Sequence, residues 1–201
     1  MPLEIFENVE QNSPEWYALR CGVPTASLFS SILAKGEGKM RRATLLRLAG
    51  EIITGEPEET FSNGAMQRGH AMEEEARLKY ALLTNSEPRR VGFVKNHGCG
   101  CSPDSLIGDD GILEVKTAKP SVLIPMLERG TFPPEHVAQC QGALWVTERR
   151  YVDIIVYWPK MAPLIVRAER DIRYIAELSR ALAEFKADLD ALVAKLRKMP
   201  R

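Results

Sequence analysis

The sequence predicts an α/β protein in which a mixed sheet is flanked by helices. Apolar stretches rich in β-branched residues recur in the second half of the chain, and residues 151–157 form the strongest of them. Helical patterns stand before, between and after these stretches, an order that favours a sheet covered by helices. The 201 residues suffice for one domain with a full core, so we expect a single domain over residues 1–201.

The first part of the chain is predicted to be helical. Ser13 is a suitable N-cap, Pro14 suits the first helical position and Glu15 suits the first turn. Together they predict a helix that stops near Gly22. Further helices are predicted from the spacing of apolar residues at about 25–33, 40–54 and 63–83.

The remainder of the chain alternates between strands and helices. Strands are predicted at residues 90–96, 104–107, 111–117, 151–157 and 164–166. Helices are predicted at about residues 119–129, 135–147 and 171–198. The last of these is amphipathic, because its large apolar residues recur at helical spacing.

The composition is ordinary for a soluble globular protein, with 45% apolar and 27% charged residues. No apolar run approaches the ~20 residues of a membrane span, and the N-terminus lacks a signal-peptide pattern, so we expect a cytoplasmic protein without membrane contact. The formal net charge is zero, which argues against a uniformly basic surface. The segment from Lys35 to Arg47 is nevertheless basic, and it could contact a polyanion or form a solvated face.

The four cysteines lack the spacing of a disulfide framework. His97, Cys99 and Cys101 alternate on one face of a predicted strand, which would allow a soft-metal site. Such a site would need a fourth ligand and lacks a CxxC motif, so reduced thiols without a metal role are favoured.

The most informative feature is Asp104, followed ten residues later by Glu114 and then by Lys116. Residues i and i+2 of a strand point to the same face, so Glu114 and Lys116 are predicted to lie side by side. Asp104 joins them if the chain doubles back at residues 108–111. Two carboxylates can hold a hard cation such as Mg²⁺, and a lysine can orient or deprotonate a water or stabilise a developing phosphorane. The set predicts metal-dependent hydrolysis of a phosphodiester.

Two predicted helices offer further polar candidates. Glu73 could complete a three-carboxylate site, or it and its two acidic neighbours could be solvated surface paired with Arg77 and Lys79. Gln139 could hold a water or a phosphate oxygen, or it could lie on a polar helix surface.

Arg20 precedes a predicted helix start at Thr25-Ala26-Ser27. An arginine beside a helix N-terminus can form a phosphate pocket, because guanidinium donors and free backbone N–H groups converge there. Thr25 or Ser27 could equally be a plain N-cap. Neither a glycine-rich nucleotide-binding motif nor a GxSxG nucleophile motif occurs in the sequence.

Five motifs follow one another from about Ser13 to the C-terminal helix. They are Pro14-Glu15-Trp16 with Leu19-Arg20-Cys21-Gly22-Val23-Pro24-Thr25-Ala26-Ser27, Arg68-Gly69 with Met72-Glu73 and Ala76-Arg77, Cys101-Ser102-Pro103-Asp104, Leu113-Glu114-Val115-Lys116, and Ala138-Gln139-Cys140-Gln141 with Trp145-Val146-Thr147. With this series the chain resembles the lambda-exonuclease family of phage-type alkaline exonucleases, the YqaJ-like viral recombinase nucleases. The family pattern often has glycine after Pro-Asp, where this chain has Ser105.

The resemblance implies a restriction-endonuclease-like nuclease core over the whole chain and a role for each matching residue. The metal would be bound by Asp104, Glu114 and the Val115 carbonyl. Lys116 would contact the attacking water or the scissile phosphate, and Glu73 would be a helical carboxylate near the water or a second metal. A pocket for a terminal 5′-phosphate would be lined by Arg20, Ser27, Ser102 and Gln139, the last of which would also belong to the catalytic set.

The resemblance also implies an activity, a Mg²⁺-dependent 5′→3′ exonuclease acting on linear double-stranded DNA. It would release 5′-mononucleotides and leave a 3′ overhang for single-strand annealing recombination. Two Mg²⁺ ions are expected with DNA bound, and Mn²⁺ could replace them. The family works as a ring-shaped homotrimer, and a single-strand annealing protein would be the partner. Two alternatives remain: a structure-specific or restriction-type endonuclease with the same core, and a non-catalytic DNA-binding recombination scaffold.

Overall fold

The structure, a computed structural model, describes residues 2–34, 38–58 and 64–200, and residues 64–71 are described by their helical backbone only. Lys35 and Glu37 of the basic segment lie outside the described residues. No helix in the described ranges is both long and apolar enough to cross a membrane. The expectation of one domain over the whole chain stays a prediction.

Seven α-helices occur in the described residues, close to where the sequence predicts them. They are α1 Pro14–Arg20, α2 Phe29–Leu33, α3 Lys39–Thr54, α4 Gly64–Thr84, α5 Pro120–Arg129, α6 Val137–Thr147 and α7 Ile172–Arg197. Short 3₁₀ turns at Ala26–Leu28 and Pro134–His136 lead into α2 and α6. The predicted N-cap of α1 is confirmed, because Ser13 Oγ accepts a hydrogen bond from the Trp16 N–H at 3.2 Å.

The strands of the described residues form two sheets. They are β1 Glu4–Phe6, β2 Pro88–Arg89, β3 Phe93–Asn96, β4 Cys99–Cys101, β5 Ser105–Ile107, β6 Gly111–Thr117, β7 Tyr151–Tyr157 and β8 Leu164–Glu169. A mixed sheet has the order β2-β5-β6-β7-β8, and an antiparallel sheet has the order β1-β3-β4. The predicted α/β class with a mixed sheet is confirmed. The small second sheet and its edge strand β1 are additions that the sequence did not predict.

The predicted strand at residues 90–96 is shorter in the structure, because β3 begins at Phe93 and Gly92 lies between β2 and β3 outside any strand. The Gly92 N–H donates to the Phe6 carbonyl at 3.1 Å, and a Cβ at this position would lie 2.0 Å from the Val9 carbonyl oxygen. Glycine alone permits this approach of two backbones. β2 therefore belongs to the mixed sheet before Gly92, and β3 belongs to the small sheet after it.

The predicted alternation of His97, Cys99 and Cys101 on one strand face is wrong. His97 and Gly98 have φ values of 53° and 69° and form the turn between β3 and β4. Two successive left-handed residues are typical of a tight β-hairpin. Cys99 and Cys101 are buried in a core shared with α6 and α7, and all four cysteines of the chain are free thiols.

The hairpin of β5 and β6 lies at the centre of the predicted chemistry. Its register pairs Ser105 with Leu113, which brings the residue before β5 next to the middle of β6. The turn between the two strands is held by Arg149, whose Nη1 donates to the carbonyls of Gly108 at 2.7 Å and Gly111 at 2.8 Å. β6 then runs parallel to β7, and α5 and α6 lie in the connection between them.

The two faces of the mixed sheet are covered by different helices. On one face α4 packs against Leu113 and Val115. On the other face Ile112 belongs to a larger core that includes residues of α3, α6 and α7. Because successive side chains of a strand alternate, Glu114 and Lys116 of β6 face the α6 side. The residues of the predicted motif thus lie between the sheet and α6.

Candidate active site

The structure brings Asp104, Glu114 and Lys116 together as the sequence predicts. The chain doubles back at the β5–β6 turn, and Asp104 Oδ2 accepts a hydrogen bond from the Val115 N–H at 2.5 Å. Lys116 Nζ donates to Glu114 Oε1 at 2.6 Å. A backbone hydrogen bond therefore fixes the first carboxylate against β6, and an ion pair fixes the second.

Gln139 of α6 completes this group. Its Nε2 donates to Glu114 Oε1, and its Oε1 accepts from Lys116 Nζ at 3.4 Å. Glu114 is almost fully buried, whereas Asp104, Lys116 and Gln139 are each partly exposed. The aspartate, the lysine and the amide are thus the side chains most open to a ligand, and Lys116 and Gln139 hold the Glu114 carboxylate beside them.

The group carries more negative than positive charge. Burial raises the pKa of Asp104 well above its ordinary value, and the charges of Glu114 and Glu73 raise it further, against the opposing effects of Lys116 and the Val115 N–H. Burial lowers the pKa of Lys116, but Glu114 and Asp104 outweigh that effect, so the pKa is raised overall. Lys116 is therefore a cation at neutral pH, and it offsets part of the negative charge of Glu114 and Asp104.

The donor set fits a hard divalent cation. Mg²⁺ prefers one or two carboxylates with further neutral oxygens, and it is bound at sites with surplus negative charge. Asp104 and Glu114 supply the carboxylates, and the Val115 carbonyl is an available neutral oxygen on the same strand. Among the described residues, no three His, Cys, Asp or Glu side chains form a metal-binding cluster. Water and substrate oxygens could complete the coordination of such a cation.

Glu73 is tied to Asp104 through Arg77 of the same helix. Arg77 is buried, and its Nη2 donates to Glu73 Oε1 at 2.6 Å. Its Nε donates to Ser105 Oγ at 2.9 Å, and that hydroxyl donates to the Asp104 carbonyl at 2.6 Å. Ser105, where the family pattern often has glycine, is therefore part of this connection. Glu74, in contrast, is exposed and pairs with Arg77 and Arg90. This agrees with the alternative that the acidic residues of this helix are solvated surface.

A cleft of 590 Å³ leads to the carboxylates. It is lined by residues 7–12 and 90–92 and by Glu73, Arg77 and Asp104. Gln11 fixes the first of these segments, because its Nε2 donates to the carbonyls of Val91 at 3.2 Å and Pro103 at 3.3 Å. The sequence does not predict that residues 7–12 line the cleft, because a polar loop carries no local signal of the surface it packs against.

A second cavity, of 270 Å³, is centred on Arg20. Arg20 lies over the Trp16 ring at 4.0 Å, and its two terminal nitrogens donate to Ser102 Oγ at 3.2 Å and Thr25 Oγ1 at 3.4 Å. Thr25 Oγ1 in turn lies 3.1 Å from Ser27 Oγ. Burial lowers the pKa of Arg20 to about 10, so this guanidinium remains charged at neutral pH.

Three of the four residues predicted for a phosphate pocket are thus connected, Arg20, Ser102 and Ser27. Gln139 belongs to the carboxylate group instead, and no hydrogen bond within the described residues joins it to the Arg20 cluster. Thr25 was predicted only as a helix start, but it is the link between Arg20 and Ser27. The two sites are adjacent along the chain, because Ser102 stands two residues before Asp104.

Fold and site together define the chain as a member of the restriction-endonuclease-like class of nuclease folds. A mixed sheet presents two carboxylates and a lysine from one hairpin, with helices on both faces. Residues 15–150 match the YqaJ-like viral recombinase domain. The match spans more than half of the chain, which therefore belongs to that family, as the series of motifs predicts.

Solved structures agree with this assignment. The chain is similar to an alkaline exonuclease (LHK-Exo) from Laribacter hongkongensis, with a TM-score of 0.85 and 31% identity over 92% of this chain and 97% of that chain. LHK-Exo in complex with dAMP gives a TM-score of 0.85 and 32% identity over the same shares. A phage-related exonuclease from Haemophilus somnus 129PT shares the fold, with a TM-score of 0.62 and 13% identity over 90% of this chain and 99% of that chain. Comparison with curated protein sequences gives no significant match.

Proposed function

We propose that the protein is a metal-dependent 5′→3′ exonuclease that degrades one strand of linear double-stranded DNA to 5′-mononucleotides. The observation that carries the proposal is that Ser102, a hydrogen-bond partner of Arg20, stands two residues before Asp104, the carboxylate bound against β6. A site for cutting a phosphodiester thus adjoins a site suited to a phosphate at a strand end. Family membership and the similarity to alkaline exonucleases support a nuclease of phage type.

The proposed cutting site uses Asp104, Glu114 and the Val115 carbonyl to hold Mg²⁺, with Mn²⁺ as a substitute and two ions with DNA bound. When bound, the metal would activate a water and polarise the scissile phosphate. Lys116 is placed to donate hydrogen bonds to that phosphate and to offset the charge that develops on it. Gln139 and Lys116 together fix the Glu114 carboxylate.

The same proposal assigns roles to the residues outside the proposed metal site. Glu73, oriented by Arg77, would lie near the attacking water or a second ion. Arg20 would bind the terminal 5′-phosphate with Ser102 and Ser27. A strand held in this way has its first phosphodiester close to Asp104, so one nucleotide at a time would be released from the 5′ end.

The proposal extends to the setting in which the enzyme works. Its substrate is linear duplex DNA in the cytoplasm, and its product is a duplex with a 3′ single-stranded overhang. A single-strand annealing protein would take over that overhang in recombination. A homotrimer with a central opening would keep the enzyme on the surviving strand. The size of the assembly can be measured by light scattering, with and without duplex DNA.

A digestion experiment tests the proposal. Linear duplex with a 5′-phosphate, labelled at either end of one strand, is incubated with Mg²⁺ beside a closed circular duplex of the same sequence. We expect mononucleotides from the linear duplex, with the 5′ label released first, an intact circle, and no release in a chelating buffer. Early release of the 3′ label would contradict the direction of digestion.

The two alternatives predict different results in the same experiment. A nicked or linearised circle would favour the endonuclease with the same Asp…Glu-x-Lys core. Binding of duplex without release of nucleotides would favour the non-catalytic scaffold.

The variant Arg20→Met distinguishes the phosphate pocket from the carboxylate site. It is expected to slow digestion of 5′-phosphorylated ends more than that of 5′-hydroxyl ends. Equal rates of wild type and Arg20→Met on both ends would mean that the pocket is misplaced.

A further inference from the structure

Arg47 of α3 lines the same 270 Å³ cavity as Arg20 and Ser27. Its side chain is 27% exposed, so the guanidinium is half-buried and still open to the cavity. Its Nε is buried and has no hydrogen-bond partner among the residues that the structure describes. A buried donor without a partner costs about 1–3 kcal/mol. We therefore expect a ligand of the cavity that accepts hydrogen bonds from Arg47.

Glu51 forms an ion pair with Arg47 but accepts no hydrogen bond from its Nε. Glu51 Oε2 accepts a hydrogen bond from the Gly22 N–H at 2.8 Å, and Oε1 accepts from the Glu58 N–H at 3.4 Å. The nearest approach of Arg47 Nε to Oε1 is 3.7 Å, which is beyond hydrogen-bond range. The carboxylate thus accepts its hydrogen bonds from backbone donors, and Arg47 retains hydrogen-bonding capacity for an anion in the cavity.

The cavity therefore contains two guanidinium groups that repel one another. The positive charge of Arg47 contributes, after burial, to the lowered pKa of Arg20. Neither Ser102 nor Thr25, the hydrogen-bond partners of Arg20, carries a charge. Two like charges around one small cavity are stabilised most by an anion that contacts both of them. A doubly charged anion fits better than a singly charged one.

We propose that Arg47 is a second anion-binding residue of this cavity, and that Arg20 and Arg47 together select a phosphate monoester. This proposal rests on the proposed function and deepens it. A terminal phosphate carries a charge near −2 at neutral pH, and an internal phosphodiester carries −1. The second guanidinium is therefore what would make the pocket specific for an end, and Glu51 is its positioning residue.

The test measures binding of short duplexes with a 5′-phosphate or a 5′-hydroxyl by fluorescence anisotropy, in a chelating buffer that prevents cleavage. The quantity compared is the ratio of the two dissociation constants. We expect Arg47→Met to reduce the wild-type preference for phosphate by roughly tenfold, as loss of one charge-assisted contact does. Arg47→Lys should retain part of the preference, because it keeps the charge but not the planar fork.

Arg42→Met is the matched control. Arg42 lies on the same helix and is exposed, so this variant removes the same charge away from the cavity. Any general effect on DNA affinity should weaken both duplexes equally and leave the ratio unchanged. Thermal unfolding of each variant confirms that it is folded before its ratio is used.

Three results would overturn the proposal. An unchanged ratio in Arg47→Met, with a lost preference in Arg20→Met, would leave Arg20 as the sole guanidinium that selects the phosphate. Equal weakening of both duplexes by Arg47→Met would make Arg47 a general DNA contact. A wild-type ratio of one would remove the end-binding pocket itself. Failure of the proposed exonuclease activity is distinguished from all three, because it appears as absent nucleotide release by the wild type.

Discussion

Two acidic sites on neighbouring strands of one sheet have opposite charge environments. Asp153 of β7 accepts two hydrogen bonds from the Arg167 guanidinium, both at 2.8 Å, and a third from the Tyr80 hydroxyl. Asp104 and Glu114 share Lys116 as their nearest cation, and Asp104 is bonded to a backbone N–H. The first site is complete within the chain, whereas the second retains surplus negative charge.

The difference separates an acid that stabilises the fold from acids that are available for a ligand. Asp153 has its charge matched and its oxygens used, and it joins α4, β7 and β8. The raised pKa of Asp104 results from burial and from the repulsion of Glu114 and Glu73, so its ionised form makes the folded state less stable. Such a cost is typical of functional sites, where a bound cation or substrate offsets it.

The largest expected effect is that of Asp104→Asn on cleavage. Loss of a metal-binding carboxylate should reduce the rate of nucleotide release by roughly a thousandfold or more, because the metal supplies several kcal/mol of transition-state stabilisation. Thermal unfolding in a chelating buffer should show a Tm equal to or above that of the wild type, since repulsion is relieved. Near wild-type digestion would contradict the metal assignment, and a lowered Tm would contradict the charge comparison.

The next largest effect is expected at the Asp153 site, where a substitution should change the free energy of unfolding. Arg167→Met leaves Asp153 buried without its cation, and it should lower the free energy of unfolding by about 3 kcal/mol. Asp153→Asn should cost less, because the remaining Arg167 is half-exposed and can be hydrated. Urea denaturation measures both. The comparison fails if the two variants are equally stable or if their order is reversed.

Tyr80→Phe should have a smaller effect of the same kind. It removes the hydroxyl that donates to the buried Asp153, a hydrogen bond to a charged group worth about 2 kcal/mol. Tyr157→Phe is the control, because its hydroxyl donates to Glu75, which is exposed. We expect that variant to change the free energy of unfolding by less than about 0.5 kcal/mol. Similar losses for both tyrosines would show that burial of the acceptor is not the deciding factor.

The smallest expected effect is a difference in pH dependence between the wild type and Asp104→Asn. In the folded state the pKa of Asp104 lies above its ordinary value of 3.8, so between the two values the folded chain binds more protons than the unfolded chain. Stability should therefore fall as the pH rises through this window, by at most about 1.4 kcal/mol per unit. Asp104→Asn should lack this fall in a chelating buffer. Parallel stability curves for the two proteins would argue against the assigned cause.

Much of the fold and part of the site could be predicted because the signals are local. The apolar spacing predicts the helices, and β-branched runs predict the main strands within a few residues. The Glu114–Lys116 pair follows from strand alternation, and the approach of Asp104 follows from a turn of only three residues between β5 and β6. The sequence could not predict that Gly92 lies outside the strands, because its position depends on backbone contact with Val9, more than eighty residues away.

The contacts between side chains of the site were less predictable from the sequence than the identity of the site residues. Gln139 was predicted for both the catalytic set and the phosphate pocket, and its bond to Glu114 joins it to the first, because the rotation of α6 over the sheet decides which group it meets. Arg47 was predicted only as part of a basic run, and its place beside Arg20 depends on how α3 packs near α1. Nothing in the spacing of Arg47 and Glu51 distinguishes a pocket residue from a surface ion pair at i and i+4.

The sequence by itself determined the class of fold, the family and the carboxylate–lysine set of β6, since each follows from residue types at short spacing. The tertiary structure alone decided which charges are matched and which are not. Charge matching depends on contacts between separate segments, such as Arg167 with Asp153 or Arg41 with Asp188. Burial then sets the strength of each interaction, because a charge removed from water must find its partner within the fold.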